Sequence, residues 1–217
     1  MNSNISLALK IYEDIRCQIL KRQLIAGDKI SERSLREYYQ SSRTPIREAL
    51  KMLELDSWVY ALPKKGTFVK GLSMQQIQEI YQVRIALEPM GVLLAVEKLT
   101  DQDIKKLTNY LEDMRQDLNK QQIGEFAIKD AYFHLFIAEK SGNKMLANIV
   151  QDLTNNIMRL GVEARYSKGR QQDNIEEFEY LVGALQEKKG SEASNWMRQH
   201  LMNASKAVLK NMDKKEI

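Results

Sequence analysis

Apolar residues recur at helical spacing from position 5 to about 22, where Leu9, Tyr12, Ile15, Ile19 and Leu20 share one face. That pattern predicts a first amphipathic helix beginning near Ile5 and ending near Arg22. The run LIAGDKI turns at Gly27, and Ser31 with Glu32 opens a short second helix through about Tyr39. SSRTPIREALKML, residues 41–53, starts a third helix that ends near Leu55. Hydroxyls and a proline suit its start: Ser42 and Thr44 can accept from the open N-terminal N–H groups, and Pro45 has no N–H to leave unpaired. The pattern then changes. SWVYALPKKGTFVKG reads as two strands, 58–62 and 67–70, with Pro63 and Gly66 punctuating the turn and Lys64 and Lys65 at its tip. Three helices and a basic hairpin make a winged helix-turn-helix.

From Ser73 onward nothing reads as strand. Helical patterns run over 73–99 (broken or kinked at Pro89), 101–121, 125–141, 143–166, 173–188 and 191–211. Gly124, Gly142, Gly169 and Gly190 fall at the joins, and Asp101 is placed to cap the second of these helices. All six are amphipathic, as in a helical bundle. The expected fold is therefore mainly α: a winged domain over 1–72, a six-helix domain over 73–212 and a frayed tail over 213–217.

Charge sharpens the division. Residues 1–70 carry 13 Lys and Arg against 8 Asp and Glu, whereas residues 71–217 carry 20 against 21. A basic module joined to a neutral one fits a nucleic-acid-binding domain attached to something else. Cys17 is the single cysteine, which excludes a disulfide framework and a cysteine zinc cluster, and a reducing cytoplasm fits. Charge interrupts the N-terminus too early for a signal segment, and no stretch approaches the ~18 apolar residues of a membrane span. A soluble cytoplasmic protein with no membrane partner is expected.

Two sets of residues carry chemistry. Arg43 and Arg47 lie four apart at the start of the third helix, so they point to one side of it. Two guanidiniums beside a helix N-terminus make a strong reader of phosphates or base edges. In the bundle, Asp130 and His134 also lie four apart, within reach of one metal ion or of each other. The chain has only two histidines, His134 and His200. On the residues alone, a metal site and a hydrogen-bonded core couple both stand.

GDKI, SERSLREYY, SRTPIREAL and PKKGTFV together resemble the GntR family of bacterial transcription regulators over the whole first domain. The resemblance implies DNA contacts from Arg33, Arg43 and Arg47, with Ser42 and Thr44 at phosphates or bases. Gly66 would let the wing tip enter a minor groove, with Lys64 and Lys65 serving phosphates. Ser57 departs from the pattern, since the family often has glycine there. YQVRIALEP, the Asp130–His134 stretch with its SGN, and WMRQHL are similar to the FCD-type effector domain of the FadR-like branch. That domain commonly holds zinc, nickel or a similar ion through one Asp and three His. Asp130, His134 and His200 match three ligands, and Phe178 occupies the fourth position, where a phenyl ring cannot ligate. Asn174 and Glu177 lie nearby, but Glu177 is one residue off the inward position and neither is an obvious substitute. Arg84 and Arg159 are the candidates to meet an effector carboxylate, and Phe178 to line the effector site; for Arg84 an ion pair with Glu88 is the competing role.

The expected function is a ligand-responsive regulator, usually a repressor in this family, binding a short operator palindrome as a homodimer. A metal-free regulator with an apolar effector cavity lined by Phe178 is one alternative. The other is a metalloenzyme using Asp130, His134 and His200, against which no general base, nucleophile or oxyanion donor set stands out.

Overall fold

In the computed structural model, residues 6–21, 23–160, 165–166 and 169–213 are described. Ile5, Arg22, positions 161–164 of the helix expected over 143–166, and positions 214–217 of the tail lie outside them. The chain divides into two compact units, Met1–Leu72 and Ser73–Ile217.

In the first unit, α1 (Leu7–Leu20), α2 (Glu32–Tyr39) and α3 (Arg43–Leu55) surround a small sheet of β1 (Lys29–Ile30), β2 (Val59–Leu62) and β3 (Gly66–Val69). The sheet is antiparallel, ordered β1-β3-β2, with Val59 opposite Val69 and Leu62 opposite Gly66. Ile11, Ile15 and Ile19 of α1, Ile46 and Leu53 of α3, and Trp58, Val59 and Val69 form one buried cluster. Three readings of the sequence need correction. β1 has only two residues and no period to detect, and Gly66 belongs to a strand rather than to the turn. Ser42 is the N-cap of α3, yet its side chain makes no capping bond, so the hydroxyl is not spent on the helix. Ser57 takes a left-handed φ of 59°, the backbone state for which glycine is the usual choice.

The second unit contains α4 (Met74–Ala95), α5 (Asp101–Asn119), α6 (Ile123–Lys140), α7 (Lys144–Met158), α8 (Arg170–Gln186) and α9 (Gly190–Asp213). α9 packs on α4 and α8, while α6 packs on α4, α5 and α7. Ser73 and Gln76 form a capping box that starts α4. α5 is capped by Thr100 with Asp103, not by Asp101, which is already its first helical residue. Gly124 lies inside α6 rather than at a join.

Pro89 does not break α4, which runs through it to Ala95. A proline has no N–H for the carbonyl four residues back. Here Arg198 of α9 donates from Nη1 to the Ile85 carbonyl at 3.3 Å, replacing that missing bond. Ser194 Oγ donates to the Pro89 carbonyl at 3.0 Å, a second tie from α9. Among the described residues, no helix is long and apolar enough to cross a membrane.

Candidate functional site

α6 presents Asp130 and His134 one turn apart on its buried face, and α9 brings His200 to meet them. One ligand atom from each lies within 4.8 Å of the other two. The two Nε2 atoms stand 3.2 Å apart. Each imidazole is held from behind: His134 Nδ1 is 2.5 Å from Glu88 Oε2, and His200 Nδ1 is 2.8 Å from Glu177 Oε2. Each glutamate in turn accepts from an arginine, Glu88 from Arg84 Nε at 2.6 Å and Glu177 from Arg170 Nη2 at 2.7 Å. The result is a mirrored chain running Arg–Glu–His to His–Glu–Arg.

A carboxylate only accepts hydrogen bonds, so it draws the proton of each neutral ring to Nδ1. Both Nε2 atoms are then left with lone pairs to offer, close to each other and to Asp130. Two imidazole nitrogens ~2.0–2.1 Å from one ion stand about 2.9 Å apart at a right angle and about 3.4 Å apart at the tetrahedral angle. The 3.2 Å separation lies between those limits. The Asp130 carboxylate stands at the edge of the cluster, accepting from Arg165 Nη2 at 3.1 Å and from Asn174 Nδ2 at 2.9 Å.

Electrostatics keep this set ready to ligate. Burial opposes the charge on Asp130, but His134 and Arg165 outweigh it and bring its pKa down to about 2. Glu88 is likewise buried, and Arg84 and His134 bring it down to about 2. Burial lowers His200 to about 4 despite the hydrogen bond it donates to Glu177, so that ring is neutral at ordinary pH.

A cavity of about 20 Å³ lies among these groups, lined by Tyr81, Arg84, Asp130, His134, Arg165, Arg170, Asn174 and His200, among others. It has room for one water or one ion, since a water needs ~10–15 Å³ by this measure. Arg84 is therefore at the site and also in the ion pair with Glu88. Arg159 does not line the cavity; its Nη1 donates to Asn156 within its own helical turn. Phe178 does not line it either. Its ring is fully buried, stacked on Phe133 at 4.0 Å and lying 4.3 Å from the His200 ring, so it supports the imidazoles instead of facing a ligand. Sequence reasoning missed Arg165, Arg170 and Tyr81. For Arg170 the available signal was the basic pair Lys168 and Arg170 flanking Gly169.

The first unit keeps a different surface open. α3 buries Ile46, Ala49, Leu50 and Leu53 and exposes Arg43, Thr44 and Arg47 on the opposite side. Arg47 Nε meets Glu32 at 3.3 Å and Arg33 Nε meets Glu37 at 2.9 Å, with the two arginine side chains 64% and 87% exposed. Exposed pairs of this kind contribute little, about 0–1 kcal/mol, so a phosphate can displace either carboxylate. At the tip of the hairpin Lys64 has a left-handed φ of 62°, and Lys65 and Gly66 are exposed beside it.

Comparison with known proteins agrees with both halves. Residues 7–69 match the family described as bacterial regulatory proteins, gntR family, and residues 79–203 match the FCD domain. The chain is 29% identical over 190 residues to the HTH-type transcriptional regulator McbR of Escherichia coli (strain K12), covering 85% of each protein. It is 27% identical over 183 residues to the gluconate operon transcriptional repressor of Bacillus licheniformis, covering 83% of this chain and 73% of that one. The solved structure of E. coli McbR/YncC superposes with a TM-score of 0.79 at 26% identity, over 96% of this chain and 99% of that one. These relatives are regulators of transcription and not enzymes, which sets aside the metalloenzyme alternative. The chain belongs to the GntR family of DNA-binding bacterial transcription regulators, with an FCD domain as its C-terminal part.

Proposed function

We propose that this regulator is a ligand-responsive repressor that binds a pseudo-palindromic operator as a homodimer and senses a small carboxylate in its helical domain. Arg33, Ser42, Arg43, Thr44, Arg47, Lys65 and Gly66 are the DNA contacts in this reading. Arginine reads guanine O6 and N7 bidentately, worth about 1–3 kcal/mol per pair. The uncommitted Ser42 hydroxyl is free for a phosphate. A dimer is required because one winged domain offers little surface for a specific affinity, and a two-fold operator calls for a two-fold protein.

In the second domain, Asp130, His134 and His200 hold a divalent ion, zinc or nickel in the family pattern. A bound ion would supply a Lewis-acidic point to which an effector carboxylate attaches. The observation that carries this reading is the convergence of that triad with Arg84, Arg165 and Arg170 around one buried cavity. Such a cavity is polar, which favours an anionic effector over the apolar one. At about 20 Å³ it must widen to admit a metabolite. Effector binding is thereby coupled to movement of α4, α6, α8 and α9.

The test is fluorescence anisotropy on the chain's own upstream DNA, with a scrambled duplex as competitor. It is run with and without a panel of small carboxylates, in metal-loaded and chelator-treated protein. Specific binding weakened by one carboxylate only when metal is present is the expected result. Binding indifferent to sequence, or effector response indifferent to metal, overturns the corresponding half. Sedimentation at micromolar concentration is expected to give about twice the chain mass of 25.2 kDa. A monomer that remains monomeric on DNA overturns the assembly.

A further inference from the structure

Asn174 lies one turn before Phe178 on α8 and is 2% exposed. Its Nδ2 donates to Asp130 Oδ1 at 2.9 Å. Only the amide NH2 can donate to a carboxylate, so this bond fixes which way the amide points. The carbonyl oxygen, Oδ1, is buried and has no hydrogen-bond partner among the described residues. Asn174 lines the same cavity as Asp130, His134 and His200.

The acceptors around that cavity outnumber what a water could satisfy. The carboxylates behind the rings leave His134 Nε2 and His200 Nε2 as lone-pair donors, and Asn174 Oδ1 adds a third. A water has two hydrogens to give. A cation bound in the cavity would take lone pairs from all three, with Asp130 supplying the negative charge. A buried acceptor without a partner is costly, and a structure retains one where something else completes it.

We propose that Asn174 Oδ1 is the fourth protein ligand of the ion held by Asp130, His134 and His200, taking the place that Phe178 cannot fill. This rests on the reading of the triad as a metal site given above. The donor set becomes two imidazoles, a carboxylate and an amide carbonyl. Carbonyl and carboxylate oxygens suit harder ions, whereas a third imidazole suits zinc and nickel. The substitution therefore narrows the lead of zinc over manganese and ferrous iron relative to a site with three histidines.

The test uses the full-length protein and the variants Asn174→Leu, Asn174→Cys, Phe178→His and His134→Ala. Zinc and manganese affinities are measured by calorimetry at pH 7.5. Asn174→Leu is expected to lower manganese affinity about tenfold or more, and to lower it more than zinc affinity. Phe178→His is expected to raise zinc affinity and widen the zinc-to-manganese ratio. Asn174→Cys loaded with cobalt(II) reads the position directly: a thiolate bound to the ion gives a near-ultraviolet charge-transfer band. Wild type, whose single Cys17 lies in the other unit, gives none. That measurement also stands should Asn174→Leu fail to fold. Wild-type affinities retained in Asn174→Leu, or cobalt bound by Asn174→Cys without a thiolate band, overturn the role of Asn174 and leave the triad intact. Failure of wild type to bind any divalent ion, or binding unaffected by His134→Ala, overturns the triad reading and this proposal with it.

Discussion

Replacing Glu88 by glutamine tests the mirrored chain at its tightest point. Glu88 accepts from Arg84 Nε at 2.6 Å and from His134 Nδ1 at 2.5 Å, with its side chain 2% exposed. Glutamine keeps the shape and removes the charge. Arg84, whose side chain is 5% exposed, then stays buried without its counter-ion. Removing one partner of a buried ion pair costs about 3–5 kcal/mol. The amide also offers one acceptor and one donor where the carboxylate offered two acceptors. With its carbonyl kept on Arg84, its NH2 meets His134 Nδ1, and the ring proton must move to Nε2. An N–H cannot ligate, so metal affinity is expected to fall about 10–100-fold. Stability is read by urea unfolding in a Trp58→Phe background, which leaves Trp196 of the helical unit as the sole tryptophan reporter. Zinc calorimetry at pH 7.5 gives the second readout. The pair Arg84→Met/Glu88→Leu should recover most of the stability, since apolar replacement of a buried pair is often neutral or better, but not the zinc affinity. A Glu88→Gln loss below about 1 kcal/mol with zinc affinity unchanged would refute the reasoning, because it would mean neither the charge nor the tautomer depends on that carboxylate.

Other outcomes follow from the same geometry. Arg47→Ala should cost about 1–3 kcal/mol of operator binding and relax base preference, whereas Lys65→Ala should weaken all sequences alike and reduce the salt slope; competition titrations at several salt concentrations separate the two. His200 is held at about 4 when folded, against about 6.5 when unfolded. The unfolded chain therefore takes up the proton first as pH falls. The contribution is complete above pH 6.5 and lost as pH drops toward 4, by about 3 kcal/mol in the limit. Urea midpoints between pH 7.5 and 4.5 should show this slope in wild type and a flatter one in His200→Gln. Arg198→Met should cost about 0.5–1.5 kcal/mol by stripping the donor from the Ile85 carbonyl. In a Pro89→Ala background, where the helix supplies its own N–H, the same change should be nearly silent in a double-mutant cycle.

The two units were legible because they differ in period: alternation and turn residues around 58–70, unbroken helical spacing after Ser73. The six helices described after Ser73 follow the order that the sequence predicts. Their ends were not legible, since caps depend on single side chains, as at Thr100 and Asp103. The i, i+4 pair Asp130–His134 could be read because its partners are local. The partners that orient it could not: Glu88 is 46 residues from His134, and Arg165 is 35 from Asp130. Glu177 is set aside in the sequence as one position off the inward face. That offset is what places it beside His200 Nδ1 rather than in front of it. Phe178 reads as a lost ligand, and packing turns it into the floor under the rings.

The ties from α9 to the proline turn of α4 have a consequence for the order of events during synthesis. Arg198 reaches back 113 residues to the Ile85 carbonyl that Pro89 leaves without its helical donor, and Ser194 reaches back 105 residues to the Pro89 carbonyl itself. His200 comes from the same helix. Until α9 has left the ribosome, α4 carries one acceptor, the Ile85 carbonyl, without its donor, and the cluster lacks one of its two imidazoles. Completion of the α4 backbone and assembly of the Asp130–His134–His200 cluster therefore both wait for the same late helix. A chain cut short before residue 194 should have a winged domain able to fold, and a helical domain without the completed cluster.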